Sequence, residues 1–211
     1  MEKVPHVVLL DTGANWSEQD NINLERGYMQ TFCNEPFLED SASHGSNMLK
    51  ILSRNLKGTV KVSMGKVIAD ANAGSPQSFA RGLIWAAELY PDVVVLPLGL
   101  MKPNSSVKAA LEILANTHCK IYAAVGNVER GQTESLYPAA YPECIAVGST
   151  QQRQAYQQWA TKPDLLIDET VVTNVKSMKN IQWGTSAATM LAVAEYLNDE
   201  FFISKSQYRT Y

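Results

Sequence analysis

Short, continuous apolar runs alternate along this chain with longer stretches in which apolar residues recur at helical spacing. The runs at 7–10 (VVLL), 93–96 (VVVL), 121–125 (IYAAV) and 144–147 (CIAV) are brief and rich in Val and Ile, and 61–69 is a weaker run of the same kind. Runs that lack polar alternation predict strands buried on both faces. Between them, 43–54 carries Met48, Leu49 and Leu52, and 78–89 carries Phe79, Leu83, Ala86 and Ala87. Likewise 107–115 carries Val107, Ala110, Leu111 and Leu114, and 187–197 carries Ala187, Met190, Leu191, Ala194 and Leu197. These spacings predict amphipathic helices. The alternation of strand and helix predicts an α/β fold in three layers, a mostly parallel central sheet with helices on both faces. No repeat, low-complexity tract or linker interrupts the chain, so residues 1–211 are expected to form a single domain.

In open parallel sheets, functional groups collect beyond the carboxyl ends of the strands. Asp11, Gly99 and Asn127 each follow a strand-like run. Four motifs there carry chemistry, and each also has a plainer reading. Asp11 closes Val7-Val8-Leu9-Leu10-Asp11-Thr12-Gly13; it can be a rigidly held acid or an ordinary turn cap. His44-Gly45-Ser46 opens a helical stretch, where an imidazole can face a cleft or merely sit on the surface. Ala123-Ala124-Val125-Gly126-Asn127 ends a small-residue strand in an amide that can donate to an oxyanion or simply make a turn. Gly184-Thr185-Ser186-Ala187-Ala188-Thr189 leads into an apolar helix. Thr185 or Ser186 can be an N-cap, but the spacing also puts the Ser186 hydroxyl at the positive end of a buried helix.

Taken together, in the order Asp, His, Asn, Ser, the four resemble the subtilisin-like serine peptidases (subtilases), whose triad runs in that order. The resemblance spans roughly 7–197 and has further points. They are Gly74-Ser75 with the helix ending Gly82-Leu83-Ile84-Trp85-Ala86, the run Asp92 to Gly99, the stretch Tyr137 to Gly148, and Lys162-Pro163-Asp164-Leu165. It implies a subtilisin-like fold and peptide hydrolysis through an acyl-enzyme, with Ser186 as nucleophile, His44 as general base, Asp11 orienting the ring and Asn127 in the oxyanion hole. It also implies that Leu98, Gly99 and Leu100 offer main-chain groups to an extended substrate, and that Ala124, Gly126 and Leu136 line the first specificity pocket. Leu136 stands where the family often has Gly, which implies a shallow pocket for small P1 side chains. The chemistry needs no metal or organic cofactor. The chain departs from the family pattern at Asn47, where a second His is usual, at Leu166-Ile167-Asp168 after Pro-Asp-Leu, and at Met190, where Pro is usual. No family calcium site is assigned. The chain begins close to the first strand, so we expect a minimal domain without a propeptide.

Composition narrows the alternatives. Apolar residues make up 45% and charged residues 18%, an ordinary globular balance. The net charge of −3 comes with interspersed signs and no Lys/Arg run, which gives no nucleic-acid or anionic-membrane surface. Three cysteines, Cys33, Cys119 and Cys144, do not read as a disulfide framework. No signal peptide is evident at the N-terminus, and a cytoplasmic protein is expected. Asp11-Thr12-Gly13 also looks like an aspartic-peptidase motif, but that chemistry needs two carboxylates and this chain has one such motif. Neither a dinucleotide nor a Walker-type phosphate loop occurs. A cysteine peptidase would have to use a Cys in or beside an apolar run, where a buried thiol is the usual outcome. His6 and His118 read as structural or surface residues. The remaining alternative is a catalytically inactive scaffold of the same fold. The expected partner is a peptide or protein substrate; oligomeric state is not legible.

Overall fold

In a computed structural model, the chain is described over residues 3–17, 23–34, 38–69, 74–127, 133–170 and 184–202. The stretch 171–183, inside the region of resemblance, lies outside the described residues. Among the described residues, seven strands form one sheet: β1 (His6–Asp11), β2 (Leu24–Thr31), β3 (Val60–Lys66), β4 (Val93–Leu96), β5 (Lys120–Ala124), β6 (Ile145–Ser149) and β7 (Leu165–Ile167). Their order is β2-β3-β1-β4-β5-β6-β7, with every neighbouring pair parallel. The helices are α1 (His44–Asn55), α2 (Pro76–Glu88), α3 (Ser105–Ala115), a single turn α4 (Arg153–Tyr156) and α5 (Thr185–Leu197).

The three-layer expectation is met, and β1 shows why its sequence lacks polar alternation. Val7 and Leu9 face a core with Met48, Leu49 and Leu52 of α1 and Ala188, Met190 and Leu191 of α5. Val8 and Leu10 face the opposite core, with Phe79 and Leu83 of α2 and Val107 and Leu111 of α3. Both faces of the strand are covered, so positions 7–10 are all apolar. Local signals start two of the helices. Ser75 accepts from the Ser78 N–H at 3.0 Å ahead of Pro76, and Asn104 accepts from the Ser106 and Val107 N–H groups at 3.1 and 3.2 Å.

The differences from expectation are instructive. The weak run at 61–69 ends as a strand at Lys66. The edge strand β2, LERGYMQT, was not foreseen; half of its residues are exposed and it is bulged between Arg26 and Met29, so it needs no apolar run. The three-residue β7 is too short to signal itself. The helix α5 begins at Thr185, and its N-cap is Gly184 with no side-chain cap, so neither Thr185 nor Ser186 plays that part. Among the described residues, no helix is long and apolar enough to cross a membrane.

Candidate active site

The sheet order places β4 between β1 and β5, and the functional side chains gather beyond the carboxyl ends of these three strands. Asp11 is the last residue of β1 and is wholly buried. His44 is the first residue of α1, with its side chain 39% exposed. Its Nδ1 lies 2.8 and 2.9 Å from the two carboxylate oxygens of Asp11. A carboxylate only accepts, so Nδ1 carries the proton and donates. In the neutral ring this leaves the lone pair on Nε2, which is what a general base requires. Asp11 Oδ1 also accepts the Thr12 N–H at 2.6 Å.

A second buried carboxylate ties these two elements together. Asp40 is fully buried and accepts from the Thr12 hydroxyl at 2.8 Å, the Ser46 N–H at 2.7 Å and the Ser46 hydroxyl at 2.6 Å. Thr12 Oγ1 in turn accepts the Gly45 N–H at 3.0 Å. The residue after Asp11 and the two after His44 are thus fixed to one anchor. Sequence reasoning missed Asp40. An Asp four residues before a His carries no distinctive signal until β1 is seen to approach it.

On the other side, Asn127 stands three residues beyond β5. Its Oδ1 accepts from the Thr185 N–H at 3.0 Å and from the Thr185 hydroxyl at 3.4 Å. Thr185 Oγ1 also accepts the Gly126 N–H at 3.1 Å, and Gly126 holds φ +96°, a conformation that favours glycine. With its carbonyl end held by a backbone donor, the amide of Asn127 keeps Nδ2 as the donor end. Ser186 is the second residue of α5; the first bond inside that turn runs from the Ala188 N–H to the Gly184 carbonyl at 3.0 Å. The Ser186 N–H therefore has no intrahelical acceptor and lies at the positive end of the helix dipole.

Ser186 itself sits between the two halves. Its hydroxyl donates to the main-chain carbonyl of Pro97, just beyond β4, at 2.7 Å. A hydroxyl has one proton, so in this rotamer the Ser186 O–H does not donate to His44 Nε2. The partner is intelligible: β4 neighbours β1, and Pro97 has no N–H of its own but keeps its carbonyl. Pro97 and Thr185 were not singled out from sequence, since a Pro after a strand and a Thr before a Ser are unremarkable alone.

Around the expected substrate strand, Leu100 exchanges both main-chain bonds with Tyr137, at 2.6 and 2.9 Å. Both main-chain groups of Leu100 are therefore engaged with Tyr137 within the protein, where the resemblance implies that they face an extended substrate. Leu136 donates its N–H to the Val125 carbonyl at 2.9 Å. A Cβ on Gly99 would lie 2.8 Å from Leu136 Cβ, so the two residues are in tight contact. Ala124 and Gly126 are buried.

The cysteines do not compete for the chemistry. Burial pushes the Cys144 and Cys119 thiols up from their ordinary values, which disfavours thiolate. Among the described residues, no disulfide joins the three cysteines and no group of three His, Cys, Asp or Glu side chains gathers as a metal site. His6 donates to or accepts from Ser63 Oγ at 2.8 Å, a structural bond far from this cluster along β1.

An acid, an imidazole, an amide and a hydroxyl at the strand ends of a parallel sheet of this order define a class, and comparison bears on it directly. The subtilase family profile (peptidase S8) matches residues 5–194, and the chain belongs to that family. Subtilisin Savinase of Lederbergia lenta is 29% identical over 171 residues, 76% of this chain and 62% of that enzyme. Thermitase of Thermoactinomyces vulgaris is 26% identical over 164 residues, 74% of this chain and 58% of that enzyme. The minor extracellular protease Epr of Bacillus subtilis (strain 168) is 24% identical over 203 residues, 90% of this chain but 31% of that protein. The chain thus spans about three fifths or less of the relatives it matches. A crystal structure of a cold adapted subtilisin-like serine proteinase superposes with a TM-score of 0.64 at 18% identity, over 93% of this chain and 76% of that one, which supports the shared fold.

Proposed function

We propose that the protein is a serine endopeptidase that hydrolyses peptide bonds through an acyl-enzyme at Ser186. The observation that carries the reading is the 2.8 Å contact of His44 Nδ1 with the buried Asp11 carboxylate, because it leaves Nε2 as a base. For attack, the Ser186 hydroxyl leaves the Pro97 carbonyl by rotation about χ1 and gives its proton to His44 Nε2 as Oγ bonds to the substrate carbonyl carbon. Asp11 stabilises the imidazolium that forms. The Asn127 Nδ2–H and the Ser186 N–H receive the oxyanion, and loss of one such donor costs about 10²–10³-fold in turnover, as in subtilisin itself. The imidazolium then protonates the leaving amine, and water, deprotonated by the same ring, releases the acyl group.

Leu98 and Gly99 pair with the substrate as an added strand. Leu136, packed against Gly99, closes the base of the first pocket over Ala124 and Gly126 and selects small P1 side chains. The role we favour is processing of a particular peptide precursor in the cytoplasm. A second reading, a catalytically inactive member kept as a binding protein, is favoured by the Ser186–Pro97 bond and by Asn47 at the family's second His position. Incubation of wild-type and Ser186→Ala protein with a peptide library, read by mass spectrometry, separates the two. Cleavage by wild type alone supports the peptidase; equal products, or none from either, remove it.

A further inference from the structure

Beyond the four catalytic groups, a single file of hydrogen bonds runs from the end of β6 to Asn127. The Ser149 N–H donates to the Tyr156 hydroxyl oxygen at 3.1 Å, and the Tyr156 O–H donates to Gln152 Oε1 at 3.3 Å. Gln152 Nε2 then donates to Asn127 Oδ1, also at 3.3 Å. The direction of this file is fixed at both ends by donors that cannot reverse. Ser149 supplies a backbone N–H at one end, and the Thr185 N–H on Asn127 Oδ1 fixes the amide at the other. A flipped Gln152 would set its carbonyl against the Asn127 carbonyl and take from the Tyr156 proton its Gln152 acceptor. Every donor in the file therefore points the same way, and the next free donor along it is Asn127 Nδ2.

We propose that Gln152 and Tyr156 are positioning residues for the oxyanion donor: they hold and polarise the Asn127 amide through its carbonyl. The proposal rests on the peptidase reading above. Bonds that accept and donate in series strengthen one another, so a donor on Asn127 Oδ1 makes its Nδ2–H a better donor to developing charge. Geometry matters as much, since a misplacement of about 1 Å can cost about 10²-fold. The support is itself rigid. Gln152 and Tyr156 are four residues apart, at the ends of the 3-10 turn Thr150–Gln152 and of α4, so their side chains meet. The Tyr156 ring is buried against Trp159, with centroids 4.8 Å apart, and against Gly148 of β6. Burial foremost, with the nearby Glu169 charge, pushes Tyr156 up to about 12, so its O–H stays a donor across the working range of a peptidase.

The test is steady-state kinetics on an N-acylated peptide p-nitroanilide with Ala at P1, for wild type, Gln152→Met, Gln152→Ala, Tyr156→Phe, Asn127→Ala and the double variant Gln152→Ala/Asn127→Ala. Gln152→Met keeps the length of the side chain without its amide. We expect both Gln152 variants to lose about 5–20-fold in kcat, a fraction of the full donor's worth, with KM within about two-fold and thermal midpoints near wild type. Tyr156→Phe loses about 2–4-fold. In the Asn127→Ala background, Gln152→Ala costs nothing further, because the group through which it acts is gone. Wild-type kcat in both Gln152 variants, a loss carried by KM, or an equal loss in the Asn127→Ala background overturns the proposal. Impaired Asn127→Ala beside unimpaired Gln152 variants overturns this proposal alone. A wild type that cleaves nothing, or an Asn127→Ala protein that cleaves like wild type, overturns the underlying reading as well.

Discussion

A Cβ placed on Gly184 would lie 2.5 Å from Asn127 Oδ1 and 3.0 Å from its Cγ and Nδ2. Gly184, two residues before Ser186, therefore touches the Asn127 amide, and only hydrogen fits between them. The backbone at Gly184 is extended, so the need for glycine here is one of space.

Gly184→Ala must displace the Asn127 side chain, which is held by Thr185 and cannot simply swing aside. We expect kcat to fall by about 10–100-fold, following the cost of an ångström-scale misplacement, with the fold intact. Kinetics and circular dichroism on the same preparation check this; unchanged kcat would show that Asn127 does not need its present place.

Asp40→Ala strands three donors, the Thr12 hydroxyl and the Ser46 N–H and hydroxyl, in a buried position. Each was bonded to a charged acceptor, so we expect a loss of about 2–4 kcal/mol in denaturant unfolding, together with lower kcat as β1 and α1 lose their common anchor. A variant as stable as wild type would mean that Asp40 contributes little to holding Asp11 beneath His44.

On the proposed reading, Leu136→Gly opens the floor of the first specificity pocket next to Gly99. Cleavage profiling should then move from Ala towards Phe and Tyr at P1. A single methylene in a pocket is worth about 10–200-fold in kcat/KM, so the change is easily measured. A wild type that already prefers Phe or Tyr contradicts the shallow pocket.

Two tyrosines set an alkaline limit. Burial, helped by Tyr196 and Glu200, pushes Tyr122 up to about 12, and Tyr156 is raised to the same value. A tyrosine in the unfolded chain ionises near 10. Between these values the folded state holds protons that the unfolded state has released, so stability falls as pH rises from about 10 to about 12. Unfolding free energy measured across that window should decline, and less steeply in Tyr122→Phe. A flat profile there contradicts the burial of the two phenols.

The sheet, five of its strands and all four long helices were legible because burial on both faces leaves runs, and burial on one face leaves helical spacing. The edge strand β2 was not, because exposure removes the pattern: Arg26, Tyr28 and Gln30 have no core to meet. For the site, Asp11 and His44 could be paired only through the family resemblance, since 33 residues separate them. What sequence could not give was partner choice at short range. Ser186 gives its proton to Pro97, Leu100 spends its main chain on Tyr137, and Gln152 reaches Asn127 across 25 positions. Such bonds depend on where β4, β5 and β6 end relative to one another, and no local spacing encodes that.

The account turns on whether the base reaches the nucleophile. Treatment with a fluorophosphonate, followed by intact mass measurement and peptide mapping, tests this without knowing the natural substrate. We predict one adduct per chain, located at Ser186, abolished in Ser186→Ala and reduced at least about 10³-fold in rate in His44→Ala, as expected where nucleophile and base act as a unit. A wild-type chain that stays unlabelled under conditions that label subtilisin, or labelling that persists in Ser186→Ala, would contradict it.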